Sequence, residues 1–444
     1  MLRELKKCLF EAREISIMLS SSEPIGRPTN SEAKPPLEIE TSPTQAKGSS
    51  LLMSWSVIAK TICGSVMLCL AHSCSDTGFM FGNLLLLFWG VAALFTLRLL
   101  SELVAEGGPF HKATSFGHII DRSAPNVSWL VDFGLAVLCF GMATSDLQVP
   151  GTLLAHLIVD WAPSLNYIWI RRLILFIATV GLFPVIAVRK ITMIAIKDMI
   201  GMAINLYVVL IVVAYCTGAT SESSSDPIGL ILPTSFFAFL AQIPVFALAF
   251  CGHQNLLFVA SEMRSPTLAR LDLISRWSII SAFGMYLIAM NVPAAAYGRL
   301  VPSNFMKLLP NKFPVHIGLL ANTLAIAASF PLQCYPCRRA IVSLIERARG
   351  RPTEEAEERS MRLGVSAAVA VSCLVIAWNV ESLGMVFKLT GAIGANILAF
   401  ILPCFAYVRS FPSDEKVKWA IRLMWFCIGM VPISFVAIVL DARP

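Results

Sequence analysis

Charged side chains are scarce in this sequence. They make up 14% of its 444 residues, against 56% hydrophobic residues, and the mean hydropathy is +0.72. So large an apolar fraction cannot be buried in one soluble core, which excludes a soluble globular protein. We therefore expect an integral membrane protein that has the lipid bilayer as its surroundings and no nucleic acid partner.

The first 50 residues lack a secretory signal. Residues 1–19 interleave apolar and charged residues, without an apolar core followed by a small-residue cleavage site. Residues 20–50 are rich in Ser, Pro, Thr and Glu, a composition typical of disorder. We predict a disordered cytosolic tail over residues 1–50 and a transmembrane domain over residues 51–444. A helix lying on the lipid surface is the alternative for the first residues.

Residue patterns for covalent chemistry are also missing. The two long loops at 217–232 and 298–314 contain no cysteine, which argues against a disulfide framework. Cys334 and Cys337 have the spacing of a metal site, but no histidine or second cysteine pair lies nearby in the sequence. No nucleophile and base, phosphate loop or metal cluster can be identified. We expect no enzyme activity, catalytic residue, metal or cofactor.

Long apolar segments dominate the rest of the chain. About 20 apolar residues in a helix cross a hydrocarbon layer of about 30 Å. Eleven segments meet this condition, which predicts an all-α membrane protein with eleven transmembrane helices. They cover residues 54–71, 79–100, 127–159, 168–188, 193–216, 233–260, 275–297, 315–345, 363–380, 382–408 and 419–440.

Basic residues are distributed unevenly between the two sides of this arrangement. If the tail is cytosolic, the cytosolic loops hold a clear excess of lysine and arginine, as the positive-inside rule requires. An odd number of helices then places the C-terminus outside the cell or in a lumen. The cytosolic group contains Lys112, Arg122, Arg189, Lys190, Lys197, Arg264, Arg270, the basic residues of 338–362, Arg409, Lys416 and Lys418, against Arg171, Arg172, Arg299, Lys307, Lys312 and Arg443 on the other side.

One apolar segment carries signs of a break, and another carries polar residues in its middle. In the first, Gly64 and Ser65 interrupt residues 60–70, and glycine there weakens a helix. Freed backbone groups in lipid must line a cavity or be buried in protein, so a binding site is one interpretation and close helix packing the other. In the sixth, His253 follows Gly252, and it is either functional, as a candidate gate, or a cap for freed carbonyls. Glu262, near the end of that segment, is a candidate gate or an ion-pair partner of the nearby Arg264.

Several stretches resemble the amino acid/auxin permease family, including sodium-coupled neutral amino acid transporters and fungal vacuolar transporters. These are ICGSVMLCLAHSCSDTG at 62–78, VAEGG at 104–108, LCFGMATSDLQVPGTLL at 138–154, IPVFALAFCGHQNLLFVASEM at 243–263, SFPLQCYPCRR at 329–339 and SLGMVFKLTGAIGANILAFILPCFAYV at 382–408. The resemblance implies the five-plus-five inverted-repeat, leucine-transporter-like fold, in which the first and sixth helices are broken. It also implies an amino acid substrate held by Gly64, Ser65 and Val66 on one side and by Phe250, Cys251 and Gly252 on the other.

Four residues bear on how such a site is coupled. Val66 replaces a family glycine, and the larger side chain either narrows the cavity or restricts the unwinding of the helix. Lys60 replaces an asparagine that serves the cation in sodium-coupled members, and its charge would repel sodium by about 4 kcal/mol at roughly 4 Å. Lys60 either loses its proton, which suits proton coupling or uniport, or extends to cytosolic water. Ser329 falls near a hydroxyl that helps to hold sodium in relatives. Asp146 replaces a tyrosine and belongs to a proton path, binds a cationic substrate, pairs with a neighbouring helix or lies near the outer surface.

We expect a secondary active or facilitative amino acid transporter that works by alternating access, is not strictly dependent on Na⁺, and is either coupled to H⁺ or uncoupled. The alternative is an amino acid sensor with the same fold and little or no flux. The expected membrane is that of a vacuolar or lysosomal organelle, or the plasma membrane.

Overall fold

A computed structural model of the chain describes residues 50–111, 113–188, 195–217 and 231–441. The predicted tail lies outside these ranges except for Ser50. In the described part, eleven helices are long and apolar enough to cross a membrane, so the predicted count is confirmed and the chain is a multi-pass membrane protein. We label them α1 Leu51–Thr77, α2 Phe79–Val104, α3 Pro125–Trp161, α4 Tyr167–Ile186, α5 Ile196–Cys216, α6 Phe236–Glu262, α7 Leu268–Leu300, α8 Phe313–Arg349, α9 Glu355–Asn379, α10 Leu383–Ser410 and α11 Val417–Asp441.

Contacts among the first ten helices repeat when each helix is exchanged for the one five places along. The helix α1 packs on α5 and α7, and α6 packs on α10 and α2. In the same way α3 contacts α4 and α10, while α8 contacts α9 and α5. Five crossings are an odd number, so the second set of five starts from the opposite face. This arrangement is the expected inverted repeat, and α11 lies outside it against α6 and α10.

We name the two faces of the helix bundle by their position relative to the start of α1. The face where α1 begins, at Leu51, is the tail face, and the opposite face is the far face. A short helix, Phe116–Ser123, lies between α2 and α3 at the tail face.

Glycines bring α3 and α10 into close contact. A Cβ atom on Gly141 would overlap the Thr390 hydroxyl, and one on Gly394 would lie 2.7 Å from the backbone nitrogen of Leu138. These positions tolerate no side chain without a shift of the neighbouring helix. Small residues let membrane helices approach in this way.

The middle of α10 is not α-helical. Residues Gly391–Ile401 form a π-helix, in which each N–H bonds to the carbonyl five residues earlier, and most of its side chains are buried. An α-helical segment precedes it and another follows, Leu383–Thr390 and Leu402–Ser410. The segment places Phe400 against Trp89 of α2, with ring centroids 4.7 Å apart.

Candidate functional site

The first predicted break is present in α1. Its first half, α1a, covers Leu51–Ile62, a 3₁₀ turn covers Ser65–Leu68, and its second half, α1b, covers Leu70–Thr77. A Cβ atom on Gly64 would meet Met142 at 3.8 Å, which is an ordinary contact. Close helix packing is therefore not what Gly64 provides, and its effect here is to weaken the helix at the break.

Side chains from two other helices satisfy the carbonyls at the end of α1a. The amide of Asn205, on α5, donates to the carbonyl oxygen of Cys63. The hydroxyl of Tyr286, on α7, lies 2.5 Å from the carbonyl oxygen of Ile62. The carbonyl of Ile62 also accepts from the backbone N–H of Gly64 at 2.7 Å, whereas that of Cys63 would be left unsatisfied without Asn205, which is costly in the membrane. The break is therefore built into the surrounding structure.

The second predicted break is present in α6 and lies beside the first. Its first half, α6a, covers Phe236–Ala249, and its second half, α6b, covers His253–Glu262. The same Tyr286 hydroxyl lies 2.8 Å from the carbonyl oxygen of Ala249. A Cβ atom on Gly252 would lie 2.7 Å from the Ile62 side chain, so here a glycine is needed for close approach.

Further contacts join the same region. The amide of Asn255, on α6b, donates to the hydroxyl of Thr61 on α1a. The ring of Phe250 meets the ring of Tyr286 edge-on, with centroids 5.5 Å apart, and also covers Gly90 on α2. The two broken helices thus form one unit, held by polar contacts on one side and by aromatic packing on the other.

The helix α3 passes in front of the first break. Met142 faces Gly64, and one turn later Ser145 and Asp146 reach Ser65. The Ser65 hydroxyl lies 3.1 Å from the Ser145 hydroxyl and 3.2 Å from a carboxylate oxygen of Asp146. The structure therefore brings Asp146 to the break and not to the outer surface.

Lys60 lies in a group of charged residues near the tail face. Its side chain crosses α5 at Gly201, where a Cβ atom would lie 2.5 Å from Cε. Asp146, Lys197 and Asp198 are its charged neighbours. No carboxylate oxygen of the residues with described coordinates lies within 4.0 Å of the Lys60 ammonium. Lys60 and Asp146 are thus neighbours without a direct ion pair.

Comparison with known proteins decides the family. The family described as "Transmembrane amino acid transporter protein" matches residues 47–441. The chain belongs to this family. Vacuolar amino acid transporter 5 of Schizosaccharomyces pombe is 28% identical over 79% of this chain and 82% of its own. Vacuolar amino acid transporters 5 and 6 of Saccharomyces cerevisiae are 24% and 23% identical, over 82% and 84% of this chain and 90% and 94% of their own.

Membership in a transport family supports amino acid transport and confirms that the chain is not an enzyme. The alignments cover 82–94% of the relatives' own length, and the family match includes all eleven described helices.

The two candidate gating residues, His253 and Glu262, lie in different surroundings. His253 is fully buried, and its Nε2 lies 2.8 Å from the Thr96 hydroxyl on α2. Its ring also approaches Phe400, so it faces α2 and α10. Glu262 is exposed at the tail face, and the described part of the chain offers it no ion pair, Arg264 included.

The remaining predicted residues lie in the two breaks and in α8. Val66 is 2% exposed in the 3₁₀ turn, and Cys251 is 8% exposed in the second break. Ser329 precedes the second half of α8, where its hydroxyl donates to the carbonyl of Ala325 at 3.2 Å. Its proton is therefore already used within its own helix.

Sequence reasoning did not identify Asn205, Tyr286, Thr61 or Asn255. Asn205 and Tyr286 are polar side chains within the apolar runs of α5 and α7. That pattern was available as a signal, because a polar group inside a membrane helix needs a partner. The sequence does not reveal which carbonyl each of them reaches.

Proposed function

We propose that this protein carries amino acids across a membrane by alternating access and binds them between the breaks of α1 and α6. The observation that carries the proposal is the meeting of the two breaks, with Gly252 against Ile62 and one tyrosine hydroxyl bridging both ends. Unwound segments at this depth are typical of transporter sites.

Backbone groups at the breaks suit the carboxylate of an amino acid. The N–H groups of Ser65 and Val66 have no acceptor among the residues that the structure describes. The N-terminus of α6b adds a favourable dipole for a carboxylate. We assign Gly64, Ser65, Val66, Phe250, Cys251 and Gly252 to substrate binding.

Ion pairs at both faces support alternating access. At the far face, Lys307 lies 2.7 Å from Glu381 and connects the loop after α7 to the loop after α9. At the tail face, Lys416 lies 2.9 Å from Glu102 and connects the loop after α10 to α2. Opening one face would break one set of contacts while the other set persists.

We further propose that transport does not require sodium and is coupled to protons or uncoupled. Support comes from the ammonium of Lys60 and from Ser329, whose hydroxyl is engaged by its own helix. The relatives' names favour a vacuolar membrane. The excess of basic residues at the tail face favours a cytosolic N-terminal tail over residues 1–50 and a luminal C-terminus.

The test is flux into proteoliposomes that contain the purified full chain. Neutral and basic radiolabelled amino acids are offered with sodium or choline, and with or without a pH gradient. Saturable uptake that persists in choline is expected, and protein-free liposomes are the control. Substrate binding without flux would instead support the sensor, and uptake that collapses in choline would exclude sodium independence.

A further inference from the structure

Asp146 is a buried carboxylate with almost no partner. It lies on α3 beside the break in α1 and is 4% exposed. Its one hydrogen-bond donor among the residues with described coordinates is the Ser65 hydroxyl, at 3.2 Å. An ionised carboxylate has about four acceptor positions, so most of its capacity is unused.

The available hydroxyl protons give Asp146 at most this one hydrogen bond from the described residues. The Ser145 hydroxyl lies 2.8 Å from the carbonyl oxygen of Met142 and 3.1 Å from Ser65. Ser65 itself has a single hydroxyl proton, which it donates either to Asp146 or to Ser145. Neither arrangement satisfies the second carboxylate oxygen of Asp146.

No cation compensates the charge at contact distance. Within the described ranges, no lysine, arginine or histidine nitrogen lies within 4.0 Å of Asp146. Lys60 and Lys197 are its more distant charged neighbours. Lys197 lies 3.6 Å from Asp198, which already offsets its charge. Cys334 of α8 and Cys373 of α9 complete the titratable groups around the carboxylate.

We propose that Asp146 selects substrates whose side chain carries a positive charge, such as arginine and lysine. A guanidinium or ammonium group would supply the missing donors, and hydrogen bonds between charged groups are stronger than neutral ones. The inference rests on the proposed function, because it places the substrate at the break in α1, where Ser65 lies.

Two matched pairs of substrates test the proposal, first in the parent protein and then in a variant. Citrulline is the neutral counterpart of arginine, and norleucine is the neutral counterpart of lysine. In proteoliposomes, kcat/KM is expected to be roughly tenfold or more higher for each charged member, the scale of one charge-assisted hydrogen bond. In Asp146→Asn both ratios are expected to fall to within about threefold.

Asp198→Asn is the matched control, because it removes a nearby carboxylate that is paired with Lys197 and does not contact Ser65. It should keep the arginine to citrulline ratio of the parent. If Asp146→Asn gives too little flux, the ratio of the two ligands' affinities is measured by thermal shift on purified parent and variant. The same loss of discrimination is expected there.

Different results separate the two proposals. If the parent carries amino acids but does not distinguish arginine from citrulline, the selection by Asp146 is wrong and transport stands. If Asp146→Asn keeps the ratio but no longer responds to a pH gradient, the carboxylate carries a proton and the selection is again wrong. If no amino acid moves at all, the proposed function fails and the selection fails with it.

Discussion

The hydroxyl of Tyr286 lies 2.5 Å from the carbonyl oxygen of Ile62, at the point where the first half of α1 ends. It also lies 2.8 Å from the carbonyl oxygen of Ala249, where the first half of α6 ends. One hydroxyl proton thus serves two buried acceptors on two broken helices. The spacing between the breaks therefore depends on a residue of a third helix.

Removal of this hydroxyl should loosen both breaks. In Tyr286→Phe the carbonyl of Ala249 loses its donor, and the carbonyl of Ile62 keeps only the backbone N–H of Gly64, while the ring packing against Phe250 remains. Unsatisfied buried acceptors cost about 1–3 kcal/mol, so we expect a lower melting temperature in detergent and a higher KM for substrate.

Tyr297→Phe is the control for this prediction. Its hydroxyl donates to the carbonyl of Leu308 at 3.3 Å, away from both breaks. We expect a change in stability below about 0.5 kcal/mol and an unchanged KM. Equal effects of the two substitutions would show that the position of Tyr286 has no special importance.

Gly201→Ala should alter transport without lowering the stability of the protein. The new methyl group would meet the flexible end of the Lys60 side chain, which can move aside. Alanine is also favoured over glycine in a helix by about 0.5–1 kcal/mol. We expect a melting temperature equal to or above that of the parent, together with altered flux because Lys60 is displaced.

Gly284→Ala is the matched variant, since a Cβ atom there meets nothing within 4 Å. It should raise stability without a change in flux. An unaltered rate and pH dependence in Gly201→Ala would argue that the position of Lys60 does not matter for transport.

Gly391→Ala should damage the fold itself. A Cβ atom at this position would overlap the carbonyl of Pro244, and backbone cannot move aside as a lysine side chain can. Overpacking of this kind costs about 1–3 kcal/mol or more. We expect less folded protein by size-exclusion chromatography, whereas Gly429→Ala, with open space around it, should match the parent.

The far-face ion pair should resist mild acid. Burial raises the pKa of the Glu381 carboxyl, but hydrogen bonds from Lys307 and Tyr167 outweigh this effect and hold that pKa below its ordinary value. A carboxylate with a lowered pKa stabilises the fold above its ordinary pKa of about 4.3, and the contribution is lost as the pH falls through the lowered value. The contact should therefore persist from neutral pH to about pH 5.

The distance between two spin labels, one on each side of this contact, checks this expectation. Cysteines replace the exposed residues Asn311 and Asn379, while the native cysteines with described coordinates are all buried. We expect one distance from pH 7 to pH 5, and a longer, broader distribution in Glu381→Gln already at pH 7. Glu354→Gln, which removes an ion pair with Arg351 at the other face, should leave the distance unchanged.

The sequence predicted the fold well because hydropathy alone controls which segments lie in lipid. Eleven segments were expected and eleven are present in the described part of the chain, with ends that differ by several residues. The largest differences fall where helices extend beyond the membrane, as at the start of α9, where Glu355 and its charged neighbours precede the apolar run. The acidic residues of the first turn of α9 suit the positive end of the helix dipole, an effect that hydropathy does not record.

The site was predicted only in part. Both breaks lie where glycine weakens the helix, because that effect is local to the sequence. The partners of the freed carbonyls, Asn205 and Tyr286, lie more than a hundred residues away from the first break. Which helix faces which break is a tertiary property, and the spacing of residues along one chain does not contain it.

The π-helix of α10 affects how the length of this chain can vary during evolution. In an α-helix with 3.6 residues per turn, deletion of one residue rotates every later side chain by about 100°. Between Gly391 and Ile401 the backbone already holds more residues per turn than an α-helix does. A deletion there can be absorbed as the segment tightens, while Thr390 and Leu402 keep their neighbours. Gaps in alignments of related proteins are therefore expected within α10, even though it is one of the most buried helices.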